Sequence, residues 1–278
     1  MNQFERIFLF LLVSFSFFQN CDGGGSGTDF SGLLLLTQNG SSQGFSPCPP
    51  VSVPSEYLLA NTVVDAPGSD PDVQFKDPTK AINGVCGGGQ YSGGFDVYTI
   101  GNASGSNYLI LSWGGSTVLN HDGIDFIVFE NGFRQASSVN YFLEPMVVEV
   151  SYDGTNYCGF YPEYVGSPSP VSLDPDNWLH FAGLLPVLWN MGTNPLTPAQ
   201  IFPTPFVANA GGDAFDINDL KEDARFSNGC NSSVLFDIQT NGFKYIKLIN
   251  NRTDFPTPSG SFDGGPDVDG VLARIVSP

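Results

Sequence analysis

Residues 244–249, Lys-Tyr-Ile-Lys-Leu-Ile, set two lysines into an otherwise apolar run. That interruption suits a strand with one face in the core and one face wet, at strand length. Outward from this stretch the same texture recurs. Tyr108-Leu-Ile-Leu-Ser-Trp113, Phe126-Ile-Val-Phe129, Met146-Val-Val-Glu-Val150 and Val234-Leu-Phe-Asp-Ile238 are short and rich in β-branched or aromatic residues. Gly, Pro, Asn and Asp separate them, and Asp153-Gly154 and Asn241-Gly242 stand where tight turns are needed. Helical periodicity is nearly absent; one short helix is expected over 216–224, with Asp216 as its cap. The Pro- and Trp-rich stretch 167–208 reads as a long ordered loop. No internal repeat is present, which argues against a propeller or solenoid. The pattern predicts an all-β fold, a jelly-roll or galactose-binding-like β-sandwich with long loops and at most one or two short helices.

The N-terminus has a different character. Arg6 is followed by the apolar run 7–18 and then by Gln19-Asn20-Cys21. Such a run is too short for the roughly 20 residues that span a bilayer and has the form of a signal-peptide core. No small-residue cleavage site of the A-x-A kind follows; the run ends just before a cysteine and a Gly/Ser stretch, 22–27. We read residues 1–20 as a lipoprotein signal peptide, Cys21 as the acylated residue, 21–55 as a flexible Gly/Ser/Pro-rich tether and 56–278 as a single β-sandwich domain. On this reading the chain meets the membrane only through its lipid, at the cell envelope, on the outer membrane or cell surface.

Removal of residues 1–20 leaves 258 residues and, because Glu5 and Arg6 cancel, the same net charge of -18. With 41% apolar and 13% aromatic residues the chain can bury a core and is not an acidic disordered tail. Ten Lys and Arg against 28 Asp and Glu cannot neutralise a phosphate backbone, which argues against nucleic acid as a partner. Apart from Cys21, the cysteines are Cys48, Cys86, Cys158 and Cys230. An even number in an exported chain suggests two disulfides, with the pairing open. A bridge from Cys48 would pin the tether to the domain. Without a CxxC pair, and with only His121 and His180 to assist, these cysteines do not suggest a zinc site.

Several stretches taken together carry a resemblance. Gly123-Ile-Asp-Phe-Ile-Val-Phe-Glu-Asn-Gly-Phe133 resembles the "DFxVFENGF" signature of a family of bacterial cell-surface proteins, often secreted or lipid-anchored. In order along the chain, Phe75–Ala81 is similar to its "FxDPxxAxG" opening, and Glu144–Gly154 to its "AEPAxVEVSxDG" strand and turn. Gly211–Leu220 is similar to "GGxxFDLADL". Lys244–Leu248 with Gly265–Val271 is similar to the closing "YVRI … GFDLDAV", except that Pro266 and Gly270 replace the usual Phe and Ala. The resemblance implies a jelly-roll sandwich of the carbohydrate-binding-module type over about residues 56–278, without implying an activity. Length, cysteines and lipobox are most similar to the spirochaete lipoproteins of that family.

For chemistry the chain offers chiefly carboxylates. There is no G-x-S-x-G elbow, HExxH pair or GxxxxGK loop, and no catalytic residue is assigned. Acids gather at Asp122, Asp125 and Glu130, at Asp213, Asp216 and Asp219, and at Asp263, Asp267 and Asp269. Hard oxygens in irregular loops suit Ca²⁺, with Asp125, Glu130, Asp216, Asp267 and Asp269 as ligands. The competing reading is that these acids cap turns and bond backbone N–H groups. Trp178, Trp189 and Tyr164 in the long loop are candidate carbohydrate-stacking residues, or else small local cores. The expectation is a displayed binding module for a carbohydrate or protein ligand. The rivals are a glycosidase-like hydrolase pairing Glu130 with Glu144, and a purely structural envelope protein.

Overall fold

In β14 (Tyr245–Asn250) Ile246, Leu248 and Asn250 are buried and Tyr245, Lys247 and Ile249 partly exposed, the alternation of a strand with one wet face. The computed structural model describes residues 47–69, 74–103, 105, 107–135, 138–222, 229–250, 255–256 and 265–278. Residues 1–20, read above as a signal peptide, Cys21, the expected tether as far as residue 46, and Asp263 lie outside the described residues.

β14 is the middle of a five-stranded antiparallel sheet, in the order β10 (Cys158–Gly159), β9 (Met146–Ser151), β14, β4 (Tyr108–Ser112) and β2 (Thr62–Asp65). The second sheet runs β1 (Leu58–Leu59), β15 (Asp267–Ala273), β6 (Phe126–Glu130) and β13 (Asp213–Phe215), with β3 (Tyr98–Thr99) on the start of β15. Along the chain β4, β6, β9, β13, β14 and β15 alternate between the two sheets, as strands of a jelly roll do. Three two-stranded ribbons complete the sandwich: β5 (Thr117–Val118) with β16 (Val276–Ser277), β7 (Phe133–Arg134) with β8 (Tyr141–Phe142), and β11 (Glu163–Tyr164) with β12 (Trp178–Leu179).

Every residue of β6, β9 and β15 is buried, because both faces of these strands are covered. Alternate residues of β6 supply two cores. Phe126 and Val128 enter the core between the sheets, where the Phe126 ring stacks on Phe215 at 5.2 Å and meets Phe243 edge-on at 5.3 Å. Ile127 and Phe129 enter a second core on the outer side, closed by Val187, Trp189 and Ile201 of the long 167–208 segment. In β15 the register shifts between Val268 and Gly270, so Val268 and Val271 share the inter-sheet core although they are three residues apart. Pro266 and Gly270, the departures in the closing motif, flank this irregularity; the Pro266 carbonyl accepts the Ile100 N–H at 2.9 Å.

Cys48 pairs with Cys86 and Cys158 with Cys230, resolving the open pairing. The first bridge and Val53 tie residues 48–53 against the second core, so the packed body begins before residue 56.

Two elements differ from the sequence reading. Val234–Ile238 is not a strand; it lies inside the helix α2 (Ser232–Asn241), after a first helical turn α1 (Pro198–Ile201). Asn231 decides this, its side chain accepting the N–H groups of Ser233 and Val234 at 3.0 and 3.1 Å as an N-cap. Asn241-Gly242 is accordingly the helix end, with Gly242 at φ 87°, and not a hairpin turn. The helix expected over 216–224 contracts to a 3₁₀ turn, Ile217–Asp219, capped by Asp216 as expected; residues 223–224 lie outside the described residues.

The helix turns Val234, Leu235 and Ile238 inward and leaves Phe236 69% exposed, whereas a strand would put 234, 236 and 238 on one face. Phe236→Asp should therefore change unfolding free energy by no more than about 0.5 kcal/mol. Ile238→Asp should destabilise by about 3 kcal/mol or more. Urea unfolding of both variants checks this.

Candidate functional site

The motif Glu130-Asn131-Gly132-Phe133 begins where β6 leaves the sheet, and each of its residues has a separate structural task. Glu130 is 1% exposed. Its Oε1 accepts the Asp267 N–H at 3.1 Å and its Oε2 the Gly132 N–H at 2.9 Å, so one carboxyl joins the start of β15 to its own turn. The side-chain amide of Asn131 donates to the Gly94 carbonyl at 3.1 Å and accepts the Gly94 N–H. This clamps the Gly-rich loop 87–94 against the end of β6. A Cβ at Gly93 would lie 2.6 Å from Asn131 Nδ2, so this approach requires glycine.

These contacts frame a cleft of about 370 Å³. Phe75 and Phe95 line one part, their rings 6.5 Å apart. Phe133 and Phe142, register partners in the β7–β8 ribbon with rings 4.2 Å apart, line another. Glu130, Glu144 and Asp267 also line it. Phe95 is 81% exposed. None of the described residues that line the cleft is Lys, Arg or His.

The electrostatics beneath the cleft are one-sided. Burial, above all, pushes the Glu130 carboxyl well above the ordinary glutamate range; the nearby charges of Asp267 and Asp213 push it further, against the pull of the two N–H groups. Asp213 sits behind it, accepting the Gly183 and Leu184 N–H groups at 2.8 and 3.0 Å, and burial raises it to about 7. Asp267 accepts the hydroxyl of Thr99.

The acids expected to share one calcium fall in three places. Asp267 adjoins Glu130. Asp125, at the opposite end of β6, accepts the His121 and Ile217 N–H groups at 2.7 and 2.8 Å, with Asp216 close enough to raise it further. Asp269 accepts the Cys86 N–H at 2.9 Å. Among the described residues no three His, Cys, Asp or Glu side chains are grouped to hold a metal ion, so the five do not form the composite site. Asp125, Glu130 and Asp269 instead accept backbone N–H groups, Asp216 caps a turn, and Asp267 accepts the Thr99 hydroxyl.

The aromatic candidates are corrected as well. Trp189 is fully buried against Tyr57 and Phe129 in the second core, and Trp178 is 2% exposed in a third core with Phe181 and Leu184. Tyr164 packs on Trp178 at 4.4 Å and its hydroxyl donates to the Ser167 carbonyl at 2.6 Å. They are anchors: a long segment with little regular structure stays in place only by burying large side chains. The rings that do face open space, Phe75, Phe95, Phe133 and Phe142, were not singled out in the sequence. Their signals were available in the Gly-rich run before Phe95 and in Phe133 closing the Glu130 motif.

A scan against protein-family models returned no match, and neither did a search of curated proteins.

Buried carboxylates give a signed pH dependence. Asp125 is raised to about 6, Asp213 and Glu149 to about 7, and Glu130 and Asp269 are raised strongly, burial being the first cause throughout. The folded chain thus holds protons that the unfolded chain releases above about pH 4.5. Stability should fall as pH rises from 5 through 7 and beyond. Asp153 acts oppositely: N–H bonds from Asn156 and Thr155 hold it at about 2, so its contribution is lost in strong acid. Urea midpoints measured from pH 2 to 9 should peak between about pH 3 and 4, where the unfolded carboxyls begin to ionise and before Asp153 is protonated.

Proposed function

We propose that this chain is a non-catalytic binding module, held at the cell surface by an acyl group on Cys21, whose ligand enters the cleft between Phe95 and Glu130. The cleft carries the reading. It is concave, mostly apolar, edged by the exposed Phe95 and the half-buried Phe75, Phe133 and Phe142, and supplied with a few polar groups, the general form of a small-ligand site. Rigid strands hold it, and backbone hydrogen bonds at Glu130 and Asn131 preorganise its walls. The resemblance to bacterial cell-surface proteins and the signal-peptide pattern support placement in the envelope. No helix among the described residues is long and apolar enough to cross a membrane, so a lipid on Cys21 would supply the attachment. The ligand is a small molecule or residue of the envelope or its surroundings, uncharged or cationic, with an apolar face for the phenylalanine rings.

One observation favours hydrolysis as a second reading: Glu130 and Glu144 line the same cleft. A carboxylate pair acting on a glycosidic bond needs both carboxyls to reach the substrate. Both oxygens of Glu130 already accept backbone N–H groups, and this places the binding module first.

Saturation-transfer NMR with a panel of neutral saccharides, alkylammonium salts and carboxylates tests the binding site. At least one compound should bind the chain and be lost in Phe95→Ala, while thermal unfolding stays within about 1 °C because Phe95 is exposed. A panel without a binder, or one whose binder ignores Phe95→Ala, contradicts the assignment. The anchor is tested separately. The expressed protein should enter the detergent phase of a phase-separation assay, and Cys21→Ser should return it to water.

A further inference from the structure

The same chain shows how it handles a buried acid beside aromatic rings. Across β9 and β14, Glu149 and Lys247 are register partners, with Lys247 Nζ 3.9 Å from the Glu149 carboxylate. That ammonium lies 4.9 Å from the centre of the Tyr108 ring and 5.7 Å from that of Tyr157. Rings and an acid surround a cation, each satisfying part of its field. The cleft repeats two of these three parts. It has rings in Phe75, Phe95 and Phe133, and acids in Glu130, Glu144 and Asp267.

Resting on the binding-module reading, we propose that the cleft recognises an alkylammonium group, the positively charged, methyl- or methylene-bearing end of an amine. Three features select it. An anion entering the cleft finds three carboxyl groups, Glu130, Glu144 and Asp267, and no Lys, Arg or His among the described lining residues to pair with it. A purely apolar ligand removes water from those carboxylates and returns nothing to them. A hard divalent cation needs a shell of six or more oxygens, which phenylalanine walls do not supply. An alkylammonium spreads its charge over a surface that is itself apolar. Its carbon atoms can lie on the rings while its charge meets both the ring faces and the field of the acids. The net charge of -18 adds a long-range attraction for such a ligand.

Choline, its uncharged isostere 3,3-dimethylbutan-1-ol, and glucose separate the alternatives, titrated into the chain carrying Cys21→Ser and followed by amide chemical shifts. Choline should move resonances of the 92–95 and 130–133 segments and bind about tenfold more tightly than the isostere. Phe95→Leu keeps an apolar side chain and removes the ring. It should weaken choline about fivefold and leave the isostere unchanged. Equal affinity for choline and its isostere overturns the charge recognition, as does a failure of Phe95→Leu to affect choline. Glucose binding in the same segments without choline binding also overturns it, but leaves the binding module standing. No shift at these segments with any of the three, together with a panel in which Phe95→Ala changes nothing, removes both.

Discussion

A carboxyl group stands at the end of a strand that has no wet face, and this constraint shapes the rest of the site. Taken out of water without partners, Glu130 would cost several kcal/mol. The chain satisfies it by bending: one oxygen takes the first N–H of β15, the other takes the N–H of Gly132 in the turn that follows. The bend directs Phe133 into a ribbon with Phe142 and exposes Asn131 to the glycine loop, whose backbone it grips from both sides. The cleft is what remains between the turn, the ribbon and the loop. Its walls are therefore set by the same hydrogen bonds that keep a buried acid bonded.

The pattern extends beyond Glu130. Asp125 holds the backbone at 121 and 217, Asp213 holds that at 183 and 184, and Asp269 holds that at 86. In each case a carboxylate fixed on or beside a strand takes N–H groups from a segment without regular pairing. A sandwich with long irregular connections has many such donors, and buried donors must find acceptors. Four of the chain's 28 acids, Glu130 among them, serve this end. The arrangement also crowds Glu130, Asp213 and Asp267 beneath the cleft, where burial and mutual repulsion favour the protonated form of Glu130, and a ligand that brings positive charge favours its ionised form.

The strands were readable because burial and sequence share a period of two. Lys247 marked the wet face of the half-buried strand, and the runs at 126–129 and 146–150, apolar except for Glu149, proved to be strands covered on both sides. Val234–Ile238 misled because a short run with four apolar residues in five fits either element, and the deciding residue, Asn231, acts from outside it. The acids were found with two purposes open, calcium binding and the bonding of turns and backbone. A carboxylate that caps a turn and one that chelates an ion are the same residue type, and only the direction of nearby N–H groups separates them. Trp178 and Trp189 were noticed for their size, which is the property that takes them into local cores. Phe95 escaped notice because exposure of a single ring depends on what packs around it, and no periodic pattern in the chain records that.

The central claim is that Glu130 is buried, bonded to backbone and crowded by like charge. Carbon-13 NMR of the chain labelled at the glutamate carboxyl carbon, with Glu130→Gln to assign the resonance, measures this directly. The Glu130 carboxyl should titrate well above the ordinary glutamate value of about 4.3. A midpoint at or below that value would contradict the account.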